Sequence, residues 1–131
     1  MYSKFDKSLF IEQVRKFQLP MNKQIKEFST GMKAKLKVLV AISHNAKLLI
    51  LDEPTRGVDV GAKAEIYQLI VEMVSNGLSV IFISCEEPEI IGMCHRMLVM
   101  RDGEIVGEFN KGEATQEMLV GLCMGGNSED E

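Results

Sequence analysis

The sequence carries no excess of positive charge. Its 15 Lys and Arg residues are outnumbered by 19 Asp and Glu residues, which gives a formal net charge of −4. Proteins that bind the phosphate backbone of nucleic acid, or an anionic membrane surface, usually present a basic patch to it. The charge balance therefore argues against nucleic acid as a partner.

The sequence also lacks the segments that would place it in a membrane or outside the cell. No apolar run approaches the roughly 18 residues of a transmembrane span, and the first residues do not follow the basic and then apolar order of a signal peptide. The three cysteines, Cys85, Cys94 and Cys123, have neither the spacing of a metal site nor the even count of a disulfide framework. We therefore expect a cytoplasmic chain that does not itself span a membrane.

What the sequence does contain is a sizeable apolar fraction and one central motif. Hydrophobic residues make up 46% of its 131 residues, enough to form the core of one domain or of part of one. Leu48 to Leu51 form a short apolar run without alternation, which is typical of a parallel strand buried on both faces. Asp52 and Glu53 follow at once, at the end of the strand where open α/β sheets bind ligands. Such acids usually hold a cation or a water, although the pair is equally compatible with a solvated turn before a helix.

Two helical patterns precede this strand. The first ends before Pro20, and a second short turn from Asn22, a plausible N-cap, leads to Phe28. A longer helix is predicted after Ser29 or Thr30, either of which can cap it. The apolar stripe of the first helix is Leu9, Phe10, Gln13, Val14 and Phe17, and that of the long helix is Ala34, Leu36, Val38, Leu39 and Ile42.

The entry to the long helix has a geometry that can bind phosphate. A Ser-Thr-Gly start leaves free backbone N–H groups at the positive end of the helix dipole. Ser and Thr caps are common, however, and most of them bind nothing. The position of this cap, about twenty residues before Asp52, favours the phosphate-binding alternative.

The chain after the central motif predicts alternating helices and strands. A helix over residues 62–74 ends at Asn76-Gly77, and a β-branched strand over residues 79–84 follows it, so that a right-handed crossover places this strand beside the first. A short helix (86–94), two strands joined at Asp102-Gly103 and a helix capped by Thr115 complete the prediction. We expect His44 and His95 to be surface or structural residues.

These motifs resemble those of the ATPase subunits of ATP-binding-cassette (ABC) proteins. Leu-Leu-Ile-Leu-Asp-Glu-Pro-Thr resembles the Walker B motif, and Gly57-Val58-Asp59 resembles the D-loop. The resemblance implies that Asp52 helps to hold the Mg²⁺ of a bound ATP and that Glu53 polarises the attacking water. It also implies that Asp59 crosses the interface to a second nucleotide-binding domain.

Phe28-Ser29-Thr30-Gly31-Met32 is similar to a variant of the ABC signature motif. The resemblance implies that Ser29 and Gly31, with Thr30 and Met32 in the places of the usual glycine and glutamine, face the γ-phosphate of a nucleotide bound by the opposite subunit. Most members carry a histidine that contacts the γ-phosphate where this chain has Cys85. A thiol is a poor hydrogen-bond donor, so full-rate hydrolysis is in doubt, and Cys85 is also compatible with a small buried residue at a strand end.

The sequence contains no Gly-x-x-x-x-Gly-Lys-Ser/Thr, the loop that cradles the phosphates of a bound nucleotide. The resemblance therefore implies a partial P-loop NTPase (ABC ATPase) α/β fold, with a mostly parallel sheet flanked by helices, a C-terminal hairpin and helix, and the Walker A strand missing. Loss of that strand would leave two sheet edges unpaired. Residues 1–46 would be part of the helical subdomain, 47–124 the C-terminal part of the ATPase core, and 125–131 a disordered tail.

The resemblance implies ATP and Mg²⁺ as cofactors, with a transmembrane transporter subunit and a second nucleotide-binding domain as partners. Residues 1–55 resemble exporter-type ATPases, and residues from Arg56 onward resemble monosaccharide importers. The expected function is that of a partial transport ATPase, cytoplasmic and peripheral to the membrane, which does not hydrolyse ATP alone. The alternative is a non-catalytic module that docks on an ATPase or a membrane partner.

Overall fold

The computed structural model describes residues 4–125, which form two compact units: residues up to Ile83 and residues from Ser84 onward. This division differs from the expected boundary at residues 46 and 47, which stays a prediction about subdomains. Most of the predicted tail, residues 126–131, lies outside the described residues.

The helices of the first unit begin where the sequence supplies a cap. The Asp6 carboxylate accepts a hydrogen bond from the Leu9 N–H at 2.9 Å, and Ser29 caps the long helix in the same way. The short turn before it differs from the prediction, because Gln24 rather than Asn22 precedes it, with the Gln24 N–H donating to Glu27. The helices are α1 (Lys7–Lys16), a 3₁₀ turn (Ile25–Glu27), α2 (Thr30–Ile42) and α3 (Val60–Ser75).

The core of the first unit lies between α2 and α3. Leu39 of α2, with Ile66 and Leu69 of α3, has no exposed surface, and the predicted stripe residues Val38 and Ile42 are also buried. The apolar periodicity of α2 therefore identified the face that packs against α3.

Strands β1 (Leu48–Asp52) and β2 (Ser79–Ile83) form a two-stranded parallel sheet. Leu48 pairs with Ser79 and Asp52 with Ile83, and α3 is the crossover between the strands. This arrangement confirms the predicted strand–helix–strand unit and its neighbouring strands.

The prediction that β1 is buried on both faces is wrong for this chain. Leu51 points inward and is 8% exposed, but Leu48 and Ile50 are 51% and 60% exposed. Cross-strand partners share a face of a parallel pair, so the exposed side continues onto β2. We call the apolar surface formed by Leu48, Ile50, Ile81 and Ile83 the open face.

The second unit is a hairpin packed against two helices. The hairpin turns at Asp102 and Gly103, which both have positive φ, as a tight two-residue turn requires. Met97, Val99 and Leu119 form its buried centre. Its elements are α4 (Glu87–Met93), β3 (Arg96–Arg101), β4 (Glu104–Asn110), antiparallel to β3, and α5 (Gln116–Met124), capped by Thr115 as predicted.

Within residues 4–125 the two sheets have two strands each, so all four strands, including β2 and β3, have one edge without a strand partner. None of the helices in that range is long and apolar enough to cross a bilayer.

Candidate functional site

The two acids of the central motif lie at the carboxyl end of β1, as predicted. Asp52 is the last residue of the strand and is exposed, and Glu53 begins the turn that follows. The Glu53 N–H donates to the Ile83 carbonyl at 2.9 Å, which extends the β1–β2 ladder by one bond beyond Asp52. This bond to the last residue of β2 therefore fixes the position of the Glu53 backbone at the carboxyl edge of the sheet.

Glu53 has a backbone conformation that favours glycine. Its φ is +46°, in the left-handed region that non-glycine residues rarely adopt. Its N–H is bonded to Ile83, and its carbonyl accepts from the Arg56 N–H at 3.2 Å, so both sides of the residue are held. Strained backbone of this kind clusters at functional sites, where the surrounding structure fixes it.

Thr55 is the buried residue of the same turn. It is 1% exposed, and its carbonyl accepts from the Val58 N–H at 3.1 Å. The sequence assigned it no role, although Thr hydroxyls in turns can hydrogen-bond the backbone nearby. The turn that carries Glu53 is therefore anchored to the core of the first unit.

Ser29 is the N-cap of α2. Its Oγ accepts a hydrogen bond from the Met32 N–H at 3.2 Å, and its backbone is extended. Ser29 and Thr30 are exposed, whereas Met32 is half-buried. The cap thus exposes the positive end of the α2 dipole, a geometry in which an anion is stabilised.

Asp59 is the N-cap of α3. Its Oδ1 accepts from the Ala62 N–H at 3.0 Å, and its carbonyl accepts from the Lys63 N–H at 2.9 Å. The side chain is exposed. Asp59 therefore stabilises its own helix, whatever it does at an interface.

Gly31 is buried between α2 and α3, where it meets Ala62. Its position is thus decided by helix packing as well as by any ligand. The expectation that its backbone faces a phosphate stays a prediction.

Cys85 belongs to the second unit and is exposed, so the alternative of a small buried residue is wrong. Nearby, the Ser84 hydroxyl donates to the buried carboxylate of Glu89 at 2.6 Å and accepts from the Glu86 N–H at 3.0 Å. These bonds fix the chain on both sides of Cys85. His44 and His95 are exposed, in line with a surface role.

A polar cleft between the three helices was not foreseen. Its volume is about 340 Å³, and two Lys–Glu ion pairs, Lys16 with Glu72 and Lys35 with Glu65, lie in its wall. The sequence signal for this cleft was Lys35. It lies four residues after Gly31 and four residues before Leu39, so this lysine is on the same face of α2 as the apolar stripe residue Leu39. The cleft is lined by Lys16, Phe17, Gln18, Lys35, Glu65, Gln68 and Glu72.

Residues 4–125 contain no group of three or more His, Cys, Asp or Glu side chains that could hold a metal ion. Mg²⁺ is commonly bound by one or two carboxylates together with waters and substrate phosphates. An exposed Asp52 beside a fixed Glu53 is compatible with that kind of binding, in which the nucleotide supplies most of the ligands.

Comparison with known families covers most of the chain. Residues 9–84 match the family model described as "AAA domain, putative AbiEii toxin, Type IV TA system". The xylose import ATP-binding protein XylG of Moorella thermoacetica is 41% identical over 121 residues, which are 92% of this chain and 24% of that protein. XylG of Geobacillus kaustophilus is 47% identical over 103 residues, 79% of this chain and 20% of that protein. The match to the Moorella protein includes residues on both sides of Arg56, where the motifs of the two segments resemble different subfamilies.

Solved structures show the same fold at low identity. A nucleotide-free ATP-binding cassette from an ABC transporter superposes with a TM-score of 0.74 at 20% identity, over 79% of this chain and 42% of that one. An ATP-binding subunit of an ABC transporter superposes with a TM-score of 0.73 at 20% identity, over 88% of this chain and 55% of that one. The chain thus spans about half of a solved cassette and at most about a quarter of the curated relatives. It belongs to the AAA-domain family that matches residues 9–84, and its fold is that of part of an ATP-binding cassette.

Proposed function

We propose that this chain is the C-terminal part of an ATP-binding transport subunit, and that it does not hydrolyse ATP alone. The observation that carries the proposal is the acidic pair at the carboxyl end of β1, with the Glu53 N–H bonded to Ile83. The relatives are named as xylose import ATP-binding proteins, which supports solute transport as the process served. The sequence has no phosphate loop, so half of a nucleotide site must come from elsewhere.

In this proposal Asp52 would hold Mg²⁺ and Glu53 would orient the attacking water. A bound Mg²⁺ neutralises charge that develops on the transferred phosphoryl group. Phosphoryl transfer depends mainly on positioning, and the two backbone bonds of Glu53 supply it here. The exposed carboxylate of Asp52 would sit one residue earlier on the same edge of the sheet.

A second nucleotide-binding domain would meet the cap of α2. Ser29, Thr30, Gly31 and Met32 would then approach the γ-phosphate of the partner's ATP, and Asp59 would lie at the interface. The positive end of α2 and the exposure of Ser29 support this role. Cys85 would stand beside the nucleotide without supplying a strong donor.

The open face supports a further partner, the remainder of the cassette. Leu48, Ile50, Ile81 and Ile83 are 46–60% exposed on one side of a two-stranded sheet. An apolar sheet face of this kind is normally packed against another layer. We propose that the phosphate-loop half covers it, and that the assembled subunit is cytoplasmic and docks on a transmembrane subunit.

The second candidate function is a non-catalytic interaction module. The open face and the missing phosphate loop favour it too, because docking needs neither Asp52 nor Glu53. The two candidates differ in what Glu53 does once the assembly has formed.

The test measures ATP binding and turnover for the full chain alone and after addition of a polypeptide carrying the phosphate-loop half of a related cassette. The chain alone should show no turnover, and the mixture should hydrolyse ATP. Glu53→Gln should lower turnover roughly 10²- to 10⁴-fold while ATP stays bound. Glu12→Gln, the same change at an exposed position on α1, should leave turnover unaltered.

Two results would overturn the first candidate. Turnover by the unaided chain would contradict the need for a second half. Unchanged turnover in the Glu53→Gln mixture would favour the interaction module, with all chemistry supplied by the added polypeptide.

A further inference from the structure

The first turns of α2 and α3 touch at Gly31 and Ala62. A Cβ atom placed on Gly31 would lie 2.6 Å from the Cβ of Ala62 and 3.7 Å from Cγ1 of Val58. The first distance is far below van der Waals contact, and the obstacle is a methyl group attached directly to the α3 backbone. Glycine is therefore required here by space alone, since the close approach leaves no room for a side chain.

The two helices lie side by side and run in the same direction. Gly31 contacts Ala62, and one turn further along both helices Lys35 is paired with Glu65. This agrees with the topology, because α2 leads into β1, α3 leads into β2, and the two strands are parallel. Both helix N-termini are consequently at the same end of the first unit.

The contact lies within the caps of both helices. Ser29 is two residues before Gly31. The Ser29 Oγ accepts a hydrogen bond from the N–H of Met32, the residue that follows Gly31. Ala62, the residue that Gly31 touches, donates its N–H to Asp59 Oδ1. A shift of α3 at Ala62 would therefore move the Asp59 cap, and a shift of α2 at Gly31 would move the Ser29 cap.

We propose that Gly31 is a positioning residue, whose missing side chain sets the spacing between the Ser29 cap and the Asp59 cap. The two caps then move as one rigid edge rather than independently. The functional consequence rests on the proposed function, in which both caps face a second nucleotide-binding domain. The spacing itself is a property of the folded chain and can be measured without ATP.

The first experiment compares the full chain with Gly31→Ala, Ala62→Gly and the double variant. Gly31→Ala should lower the thermal midpoint of the first unit by roughly 5–15 °C, because the added methyl has no space. In two-dimensional NMR spectra of the isotope-labelled chain, the amide signals of the two cap residues, Ser29 and Asp59, should both move. The double variant, which removes the opposing methyl, should regain more than half of the lost midpoint and return the Ser29 and Asp59 signals toward their original positions.

The matched control is Gly121→Ala. Gly121 lies in α5, where an added Cβ meets nothing within 4 Å. The same substitution should there leave the Ser29 and Asp59 signals unchanged and keep or raise the thermal midpoint. If Gly31→Ala does not fold, the double variant still decides, since the proposal requires it to fold.

The second experiment uses the reconstituted ATPase mixture. Gly31→Ala should lower kcat by roughly tenfold to a hundredfold with little change in KM for ATP, and Ala62→Gly in the double variant should restore it. A Gly31→Ala chain with unmoved amide signals, or a double variant no better than Gly31→Ala, would overturn the proposal. If the original mixture shows no turnover, the proposed function fails, while the amide signals still decide the positioning role.

Discussion

Lys35 has a buried side chain in the middle of a helix, which is rare for a lysine. The side chain is 10% exposed and its ammonium group is paired with Glu65, whose side chain is 52% exposed. Because the carboxylate is hydrated, the pair itself is worth little, and the aliphatic stem carries most of the stabilisation.

Two substitutions of Lys35 distinguish the stabilisation that comes from its aliphatic stem from the stabilisation that comes from its charge. Lys35→Ala should lower the free energy of unfolding by about 1–2 kcal/mol, whereas Lys35→Met, which keeps the stem length, should change it by less than about 1 kcal/mol. Urea titration measures both. Lys33→Ala, at an exposed position on the same helix, is the control and should stay within about 0.5 kcal/mol. Equal losses in Lys35→Met and Lys35→Ala would show that the charge dominates.

The three cysteines should differ in reactivity. Burial raises the pKa of the Cys94 thiol, whereas Cys85 and Cys123 are exposed. Because the thiolate is the reactive form, iodoacetamide at neutral pH should label Cys85 and Cys123 well before Cys94. Peptide mass spectrometry over a time course measures this, and labelling in urea, where all three should react at similar rates, is the control. Equally fast labelling of Cys94 in the folded chain would contradict the prediction.

The same raised pKa has a consequence for stability. The folded chain keeps the Cys94 proton to higher pH than the unfolded chain does. Stability should therefore be lost as pH rises above the usual thiol pKa of about 8.5, and Cys94→Ala should remove this contribution.

Single residues were predicted where a local pattern specifies them. Thr115 could be identified as a cap, and the cap of α2 could be narrowed to Ser29 or Thr30, because a cap depends on its own side chain and on the next three residues. The left-handed backbone of Glu53 could not, since it is imposed by bonds to Ile83 and Arg56 rather than by the preference of glutamate. A glycine at this position would have signalled the conformation.

Helix α2 begins at a cap with two separable roles. Ser29 supports the helix through its bond with Met32, and it is proposed to approach a phosphate. Ser29→Ala should cost about 1 kcal/mol of stability, whereas Ser29→Asp should keep the cap, because aspartate is as good an N-cap as serine.

The reconstituted mixture then reports the ligand role. The Ser29→Asp carboxylate should repel the partner's nucleotide and lower turnover although the chain is stable. Thr115→Ala, which removes an equivalent cap from α5, should lower stability without affecting ATP turnover. Unaltered turnover in Ser29→Asp would leave Ser29 with a capping role alone.

Element types and order were readable because α2, α3 and the strands have strong periodicity and clear end signals. Asn76-Gly77 ends α3, and Asp102-Gly103 makes the hairpin turn. The contact of Gly31 with Ala62 was not readable, because periodicity identifies a helix face but not how closely two helices approach.

At the scale of the whole molecule, the open face is the main departure from expectation. A run of apolar residues predicts a strand covered on both sides, but the described part of the chain covers only the Leu51 side of β1. The first side was predictable because α2 and α3 are present to cover it.

The open face should make the isolated chain associate. Ile50→Thr with Ile81→Thr replaces two paired residues on that face by polar residues that suit a strand. Self-association in sedimentation velocity and binding of a hydrophobic dye should both fall, with the thermal midpoint nearly unchanged. Leu51→Thr, on the inward side, should instead lower the midpoint. Self-association that persists in the double variant would show that a surface other than the open face causes it.

The parallel pairing of β1 and β2 has a consequence during synthesis on the ribosome. At about 5–20 residues per second, roughly 2–6 s pass between the appearance of Asp52 and that of Ile83, and during this time β1 has no partner strand. For the β3–β4 hairpin the matching interval, from the appearance of Arg101 to that of Asn110, is roughly 0.5–2 s. Chaperones that bind nascent chains should therefore engage the Leu48–Asp52 segment for longer than the hairpin.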